Sequence, residues 1–422
     1  MRSAILAATT LVLLFSGAAH GGSFRVIHDF CAEAKCADGS FPYGSLAIDP
    51  QGNLYGTAQG GGTAAHGTVY ELNRGRGKQF TLKTLYSYCK EDDCPDGYEA
   101  EGVIRDISGN LYGVMQEGGT SHDGLAYELA PRRNGEWKHT ILKTFDDSHG
   151  GLPLGTFGYA GSASGLPYDG ASPLYGTTHF GGTDPLGGTV FTLTPEGAHW
   201  KYETIFNFTD GADDNSEPAG APVLDASGNL FGTTTDRAAG EIYELIPGGG
   251  GWSEQIVYTP CFSCNDKTYG PGELAIDAAG TLIGGMAYGG PYCTGHSQRC
   301  GGGIYKLAPA GTDWDYTALY DFCAKNKQCR DGNEDTTYPA APVIDASGNI
   351  YGTVSRGGKH GFGVLFRIGT DGTYEDVHDF CALANCSDGS YPHNLVMAAD
   401  GVLYGIATQG GNGAGAVFEF KP

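Results

Sequence analysis

Residues 54–72 read LYGTAQGGGTAAHGTVYEL, and variants of this stretch recur along the whole chain. The first three residues of the motif have counterparts beginning at Leu111, Leu174, Leu230, Leu282, Ile350 and Leu403. The seven copies follow one another at intervals of 52 to 68 residues. A repeat of this period indicates an array of similar supersecondary units, so the fold must be derived from the unit.

Each unit predicts four short strands. Strand A is apolar and usually ends in an Asp-x-x-Gly turn, as in LAIDPQG at 46–52, because Asp can bond the turn backbone and Gly accepts a positive φ. Strand B is the LYGT segment, strand C is GTVYEL with the alternation of a half-buried strand, and strand D resembles TLKTLYSY at 81–88. Seven such units predict an all-β, seven-bladed β-propeller with four-stranded blades; a β-solenoid is the alternative, but its coils are usually shorter.

The two ends of the chain predict how the ring closes. FRVIHDFC at 24–31 is a D strand with no A, B or C strand before it, and AGAVFEFKP at 414–422 is a C strand with no D strand after it. The first strand can therefore complete the last blade, which leaves no open sheet edge at the seam. We expect residues 24–422 to form a single propeller domain.

The segments LYGTAQGGGTAAHGTVYELN and LYGTTHFGGTDPLGGTVFTLT resemble the GloVer tandem repeat of exported proteins. The resemblance covers essentially the whole mature chain, although units 4 and 5 are degenerate and unit 3 carries the insert GYAGSASGLPYDGAS at 158–172. It implies a propeller-like array on secreted or surface proteins and no settled activity.

Composition restricts the partners. The chain of 422 residues has a formal net charge of −23, with 25 Lys and Arg against 48 Asp and Glu. Nucleic acids and anionic membranes normally require a basic stripe, and the sequence has none. We therefore expect neither as a partner, no membrane span after leader removal, and a monomer.

Residues 1–19 predict a cleaved signal peptide, with Arg2 before an apolar run and Gly17-Ala18-Ala19 as the cleavage site. This places the mature protein outside the cytoplasm, as a secreted or periplasmic form.

The twelve cysteines agree with export, because an even number in an exported chain favours disulfides. Local pairing is the simplest connectivity. It joins Cys31 with Cys36, Cys89 with Cys94, Cys261 with Cys264, Cys293 with Cys300, Cys323 with Cys329, and Cys381 with Cys386. Zinc is the alternative, but no Cys/His quartet has the usual spacing.

The loops between strands D and A and between strands B and C emerge on one face of a propeller, around the channel mouth. We expect the cysteine pairs to lie in the D–A loops, whereas the B–C loops carry glycines and histidines. Candidate general bases and their partners are His66, His122, His296, His360, Tyr43, Tyr391 and His393. Candidate ligand-binding residues are His179, Arg237, Arg299, Arg356 and Tyr338. The alternative interpretation is that these are polar loop residues without a role in chemistry.

Two acidic loops offer oxygen ligands for calcium, through Asp210, Asp213, Asp214, Asp331 and Asp335. They lack EF-hand spacing, and Asp-Gly is an ordinary turn former, so no cofactor is expected beyond possible calcium.

No nucleophile elbow, zinc-protease helix or P-loop is present. Three functions remain open: binding of a glycan or cell-surface partner at the loop face, a polysaccharide lyase or glycoside hydrolase at the channel mouth, and a structural extracellular module.

Overall fold

The structure is a computed structural model that describes residues 22–76, 79–209, 216–235, 239–260, 268–289, 301–324, 329–332 and 339–422. The predicted leader, residues 1–19, lies outside this range. The described strands form seven antiparallel blades arranged in a ring, which confirms the seven-bladed propeller. None of the described helical segments is long and apolar enough to cross a membrane.

Each blade takes its strands in chain order from the channel outwards. Blade 1 contains β2 (Ser40–Ile48), β3 (Leu54–Gly60), β4 (Thr68–Arg74) and β5 (Phe80–Ser87). In blade 2 the innermost strand is split into β6 (Tyr98–Ala100) and β7 (Ile104–Arg105), followed by β8 (Leu111–Glu117), β9 (Leu125–Pro131) and β10 (Trp137–Thr144). Blade 3 contains β11 (Gly151–Gly158), β12 (Leu174–Phe180), β13 (Thr189–Glu196) and β14 (His199–Asn207).

The remaining blades follow the same order. Blade 4 contains β15 (Pro218–Leu224), β16 (Leu230–Thr234), β17 (Ile242–Gly248) and β18 (Gly251–Tyr258). Blade 5 contains β19 (Thr268–Ile276), β20 (Leu282–Gly289), β21 (Gly303–Ala310) and β22 (Asp313–Asp321). Blade 6 contains β23 (Val343–Ile344), β24 (Ile350–Val354), β25 (Val364–Ile368) and β26 (Tyr374–Asp379). Blade 7 contains β27 (Ser390–Met397), β28 (Leu403–Gln409), β29 (Ala416–Lys421) and, as its outermost strand, β1 (Ser23–Asp29).

The seam between the chain ends closes as predicted. β1 pairs antiparallel with β29, with Phe24 opposite Phe420 and Val26 opposite Phe418. The guanidinium of Arg25 donates two parallel hydrogen bonds to the carboxylate of Glu419, at 3.0 and 2.9 Å. Burial alone would raise the pKa of Glu419, but the hydrogen bonds and charges of Arg25 and Lys421 together outweigh it and hold the pKa below its usual value.

The motif residues explain why the unit recurs. Oδ1 of Asp49 accepts hydrogen bonds from the backbone N–H groups of Gln51 and Asn53, which closes the A–B turn. The hydroxyl of Tyr55, from the LYG segment, donates to Oδ2 of the same aspartate. Aromatic residues at the LYG position also contact strand D of the following blade, as Tyr112 does with Trp200. The same contact joins Tyr175 to Trp252, Phe231 to Trp314 and Tyr404 to Phe80.

Disulfides close four of the D–A loops. They join Cys31 to Cys36, Cys89 to Cys94, Cys323 to Cys329 and Cys381 to Cys386, which confirms four of the six predicted pairs.

The other two predicted pairs lie outside the described residues. One is Cys261 with Cys264, between β18 and β19, and the other is Cys293 with Cys300, between β20 and β21. Their pairing therefore stays a prediction. The position of Cys293 and Cys300 corrects one expectation, because a segment between β20 and β21 is a B–C connection rather than a D–A loop.

The recurrence of HDFC and DGS within the chain has a direct structural cause. The carboxylate of Asp38 accepts backbone N–H bonds from Ala32 and Glu33, and Nε2 of His28 lies 3.5 Å from its Oδ2. Asp388 and His378 repeat this arrangement in the loop after β26. The histidine is therefore part of the loop cap, as expected for a residue in strand D.

Candidate functional site

The loop face is the side of the ring on which the D–A and B–C loops emerge, and the turn face is the side of the A–B turns. At blade boundaries the two kinds of loop are joined by backbone hydrogen bonds. The N–H of Phe41 donates to the carbonyl of Ala414, and the N–H of Tyr391 donates to the carbonyl of Phe362. The first residues of strand A are thereby fixed against the B–C loop of the preceding blade.

Residues at this point of strand A have an unusual backbone. Among the described residues, five are not glycine and yet adopt the left-handed conformation, with φ between 53° and 59°: Phe41, Glu99, Leu152, Glu217 and Tyr391. A non-glycine residue in this region costs about 1–2 kcal/mol. Because strand A is the innermost strand, these residues form a rim around the channel mouth on the loop face. Strain of this kind concentrates at functional sites in proteins.

Two blades place aromatic side chains together at this rim. Tyr43 of β2 and His393 of β27 stack with ring centroids 5.4 Å apart and an interplanar angle of 22°. Phe41 lies two residues before Tyr43 and is 47% exposed, and Tyr391 lies two residues before His393. We call these four residues the seam cluster, because blades 1 and 7 meet where the ring closes.

The preceding B–C loop extends the seam cluster. Phe362 contacts Tyr391 edge to face, with ring centroids 5.7 Å apart. The same loop carries Arg356, Lys359 and His360, which are exposed. Three side chains that can bear positive charge therefore lie in the loop that adjoins the aromatic rim of an otherwise acidic chain.

The remaining histidine candidates are dispersed around the ring. His66 is exposed and contacts Tyr98 with ring centroids 5.7 Å apart. His122 is exposed in the B–C loop of blade 2, whereas His179 lies at the end of β12 and is 6% exposed. Burial lowers the pKa of His179, and its Nδ1 lies 3.4 Å from the carbonyl oxygen of Pro218.

Several candidates fall outside the described residues. They are His296, Arg237, Arg299 and Tyr338, and the calcium candidates Asp210, Asp213, Asp214 and Asp335. Asp331 is described and fully buried, and its Oδ2 accepts a hydrogen bond of 2.7 Å from the hydroxyl of Tyr320. This position in the D–A loop corresponds to Asp38, so Asp331 has a structural partner.

One group of potential metal ligands lies close together in the described part of the chain. A nitrogen of His66 and the sulfur atoms of Cys89 and Cys94 lie within 4.8 Å of one another. The two cysteines are joined in a disulfide, and it is the thiolate that binds metals. This group therefore provides a single metal ligand, the imidazole.

The turn face has a different character. Two cavities of about 730 and 720 Å³ open there. Residues 162 and 165 of the blade 3 insert line both of them, so the insert crosses this end of the channel.

Two carboxylates that the sequence analysis did not select, Glu101 and Glu273, belong to the innermost segments of their blades, at the waist of the channel between the two faces.

Sequence reasoning selected Tyr43, Tyr391 and His393 but missed Phe41, Glu101 and Glu273. A usable signal for the rim was the recurrence of a residue before proline at the start of strand A, as in Phe41-Pro42 and Tyr391-Pro392. The signal for the buried acids was a Glu in the middle of the strand A segment, as in YEAEGVI at 98–104 and YGPGELAI at 269–276.

The comparisons with known proteins agree with this architecture. A family model described as the Gloeobacter/Verrucomicrobia repeat matches residues 12–171 and 160–418. The chain therefore belongs to this repeat family, which confirms the resemblance of its LYGT and GTVF segments. No curated protein matches the sequence.

Solved structures with a similar fold are distant in sequence. A Lactobacillus plantarum protein has a TM-score of 0.49 and 13% identity, covering 79% of this chain and 83% of that one. The PQQ-bound aldose sugar dehydrogenase of Streptomyces coelicolor has a TM-score of 0.43 and 14% identity, covering 95% and 98%. A luciferin-regenerating enzyme has a TM-score of 0.44 and 14% identity, covering 77% and 91%. Similarity at this level informs neither the activity nor the ligand of the chain.

Proposed function

We propose that this repeat propeller is an exported glycan-binding protein whose site is the seam cluster on the loop face. The observation that carries the proposal is the stacked pair of Tyr43 and His393, on strands that also bring the exposed Phe41 and the half-buried Tyr391 to the rim. Aromatic side chains offer a large apolar face together with a polar edge. That combination suits a sugar ring, which has apolar C–H faces and hydroxyl groups around its edge.

The rigidity of the rim supports binding. Phe41 and Tyr391 are fixed by backbone bonds to the preceding loops, and both have a strained positive φ. A site that is already ordered loses little conformational entropy when it binds a ligand. Glycans bind weakly per contact, so a preorganised platform contributes strongly to their affinity.

The charge of the adjoining loop favours an acidic glycan. Arg356, Lys359 and His360 belong to the B–C loop whose Phe362 contacts Tyr391. The net charge of −23 repels anions in general, so the cationic side chains of this loop favour docking of a uronate-containing chain there over the rest of the surface. Four described disulfides support an extracytoplasmic location, where such polysaccharides occur.

A binding assay tests the proposal directly. The protein is titrated by calorimetry with a panel of neutral and uronate-containing oligosaccharides, and Phe41→Ala and Tyr43→Ala are compared with wild type. We expect at least tenfold weaker binding for both variants. Ile141→Ala serves as the matched control, because Ile141 is 42% exposed on the outermost strand of blade 2. Absence of binding across the panel, or binding that the two rim variants leave unchanged, would refute the proposal.

The contact between Tyr43 and His393 supports a second candidate function, β-elimination of a uronate polysaccharide. A lyase needs a base to remove the proton beside the uronate carboxylate and an acid to protonate the leaving oxygen. An imidazole and a phenol in contact at a channel mouth can fill these two roles. Incubation with acidic polysaccharides should then produce unsaturated uronates that absorb in the ultraviolet. His393→Gln should abolish the product, whereas Ile141→Ala should leave it unchanged; a flat trace for wild type rejects the lyase and leaves the binding proposal intact.

A further inference from the structure

The turn-face cavity of about 720 Å³ leads into the channel between the inner strands of blades 3 to 7, and we call it the funnel. Its volume falls within the range of small-molecule sites. Short apolar side chains make up most of its wall, including Ala221, Pro222, Ala275, Ala341, Pro342 and Val343. The wall therefore offers hydrocarbon contact and few hydrogen-bonding side chains.

Glu273 is the ionisable residue among those lining the funnel. Its carboxylate accepts backbone N–H bonds from Ala221 of blade 4 and Ala341 of blade 6. Burial raises the pKa of this carboxyl above its usual value despite those two bonds. The carboxylate is thus held at the junction of three blades, where the residue keeps partial exposure to the funnel.

A second buried acid lies nearby and adds negative charge above pH 7, where it is ionised. Glu101 is 6% exposed and its Oε2 accepts the N–H of Gly155 at 2.9 Å. The charge of Glu273 is one of the influences that raise the pKa of Glu101. In the part of the chain that the structure describes, neither glutamate forms an ion pair with a lysine, arginine or histidine. Buried acids are rare in proteins unless they are paired.

The insert of blade 3 covers the entrance to the funnel. Gly161 and Gly165 adopt left-handed conformations, with φ of 93° and 68°, on either side of the short 3-10 turn Ser162–Ser164. The backbone bonds of this turn stay within the insert, from Ser164 to Gly161 and from Gly165 to Ser162. This turn therefore lies as a strap across the mouth, while the rest of the insert is tied to blade 2, where the carbonyl of Tyr168 accepts the N–H of Ile107. The strap increases the apolar enclosure of anything bound beneath.

We propose that the funnel binds a small organic ammonium ion with an apolar body, with the ammonium group at Glu273 and the hydrocarbon against the alanine and proline wall. The positive charge balances a carboxylate that forms no ion pair within the described residues. The apolar body of the ligand displaces water from the funnel wall, where water finds few side chains with which to form hydrogen bonds. The overall charge of −23 raises the local concentration of cations around the protein. A hydrated divalent metal fits less well, because it requires several oxygen ligands and the wall is hydrocarbon.

Calorimetric titration of the full-length protein with n-hexylammonium tests this proposal, with 1-hexanol and hexanoate as probes of the same length and different charge. We expect hexylammonium to bind at least tenfold more tightly than hexanol, and hexanoate to show no binding. Glu273→Gln should reduce the affinity for hexylammonium at least tenfold and leave the weak binding of hexanol unchanged. Glu196→Gln, at an exposed position on β13, is the control for loss of one negative charge.

A second variant covers the case in which Glu273→Gln does not fold. Ala275→Leu adds bulk to the funnel wall, keeps the carboxylate of Glu273, and should weaken the binding of both hexylammonium and hexanol. Equal affinity for hexylammonium and hexanol would overturn the proposal, as would unchanged binding in folded Glu273→Gln. Unchanged binding of hexylammonium in Ala275→Leu would place the amine elsewhere and would also overturn it.

Discussion

The protonation of Glu101 makes the stability of the propeller depend on pH, and the structure provides the magnitude. Burial is the largest influence on this carboxyl and raises its pKa from 4.5 to about 7, against the opposing hydrogen bonds from Gly155 and Gln116. The folded protein therefore retains a proton between pH 4.5 and 7 that the unfolded chain releases. Stability must fall as pH rises through this window and level off above it.

The size of the effect follows from the pKa difference. At about 1.4 kcal/mol per pKa unit, the change from 4.5 to about 7 corresponds to a loss of roughly 3 kcal/mol between pH 4 and pH 8. The substitution Glu101→Gln removes the titrating group, while its side-chain oxygen can still accept the N–H of Gly155. We expect the variant to be about 3 kcal/mol more stable than wild type at pH 8 and nearly equal to it at pH 4.

Urea unfolding followed by tryptophan fluorescence at pH 4, 5, 6, 7 and 8 measures the difference. Other groups titrate in this range, so the informative quantity is the gap between variant and wild type rather than either curve alone. Glu196→Gln, at an exposed position, should follow wild type at every pH. Parallel curves for wild type and Glu101→Gln would refute the reasoning, and so would a variant that is less stable at pH 8.

Three further predictions concern strain, close packing and ring closure. Phe41→Gly should be more stable than Phe41→Ala by about 1 kcal/mol in urea unfolding, because φ is 56° at this position and glycine adopts a positive φ without strain. A Phe41→Ala variant that is more stable than Phe41→Gly, as is usual in strands, would contradict the backbone strain inferred at residue 41. Gly44→Ala should lose roughly 2–4 kcal/mol, because an added Cβ would lie 1.8 Å from a carbonyl oxygen of blade 2 and φ is 72°. Gly165 has a similar φ of 68°, but an added Cβ would meet no atom within 4 Å, so Gly165→Ala should lose only about 1 kcal/mol. Equal losses of stability for Gly44→Ala and Gly165→Ala would show that the close contact at Gly44 contributes nothing. Arg25→Ala should lose about 1–2 kcal/mol at pH 7 by leaving Glu419 without its guanidinium partner. Because the pKa of Glu419 is lowered in the folded state, this difference should shrink as pH falls below the unfolded value of 4.5; a constant difference would show that packing alone is lost.

The repeat determined most of the fold. Leu54-Tyr55-Gly56 and its copies established the number of blades, since most units repeat the Asp-x-x-Gly turn that Asp49 closes, and in four units the residue at the Tyr position contacts an aromatic side chain of the next blade. The strand at 24–29 predicted where the ring closes, because it is a D strand with no A, B or C strand before it. In a closed ring it can pair with the last strand C, which has no D strand after it. These are local rules that repeat, and a sequence records each of them several times.

The candidate site was only partly accessible to the same reasoning. Tyr43 and His393 were selected individually as residues near the start of strand A, but their stacking depends on the distance between blades 1 and 7. That distance is set when all seven blades pack together. The buried position of His179 likewise depends on the blade beside it rather than on its own strand.

The sequence by itself determined the architecture of this protein: seven blades, closure by the first strand, and local disulfides in four D–A loops. The tertiary structure alone decided which side chains meet, including Glu101 with Gly155 across a blade boundary and Glu273 with two neighbouring blades at the waist. The physical reason is that strand periodicity and turn chemistry act within one repeat, whereas the channel is formed by side chains from different repeats. Their proximity is a property of the closed ring, and no single segment of the chain carries it.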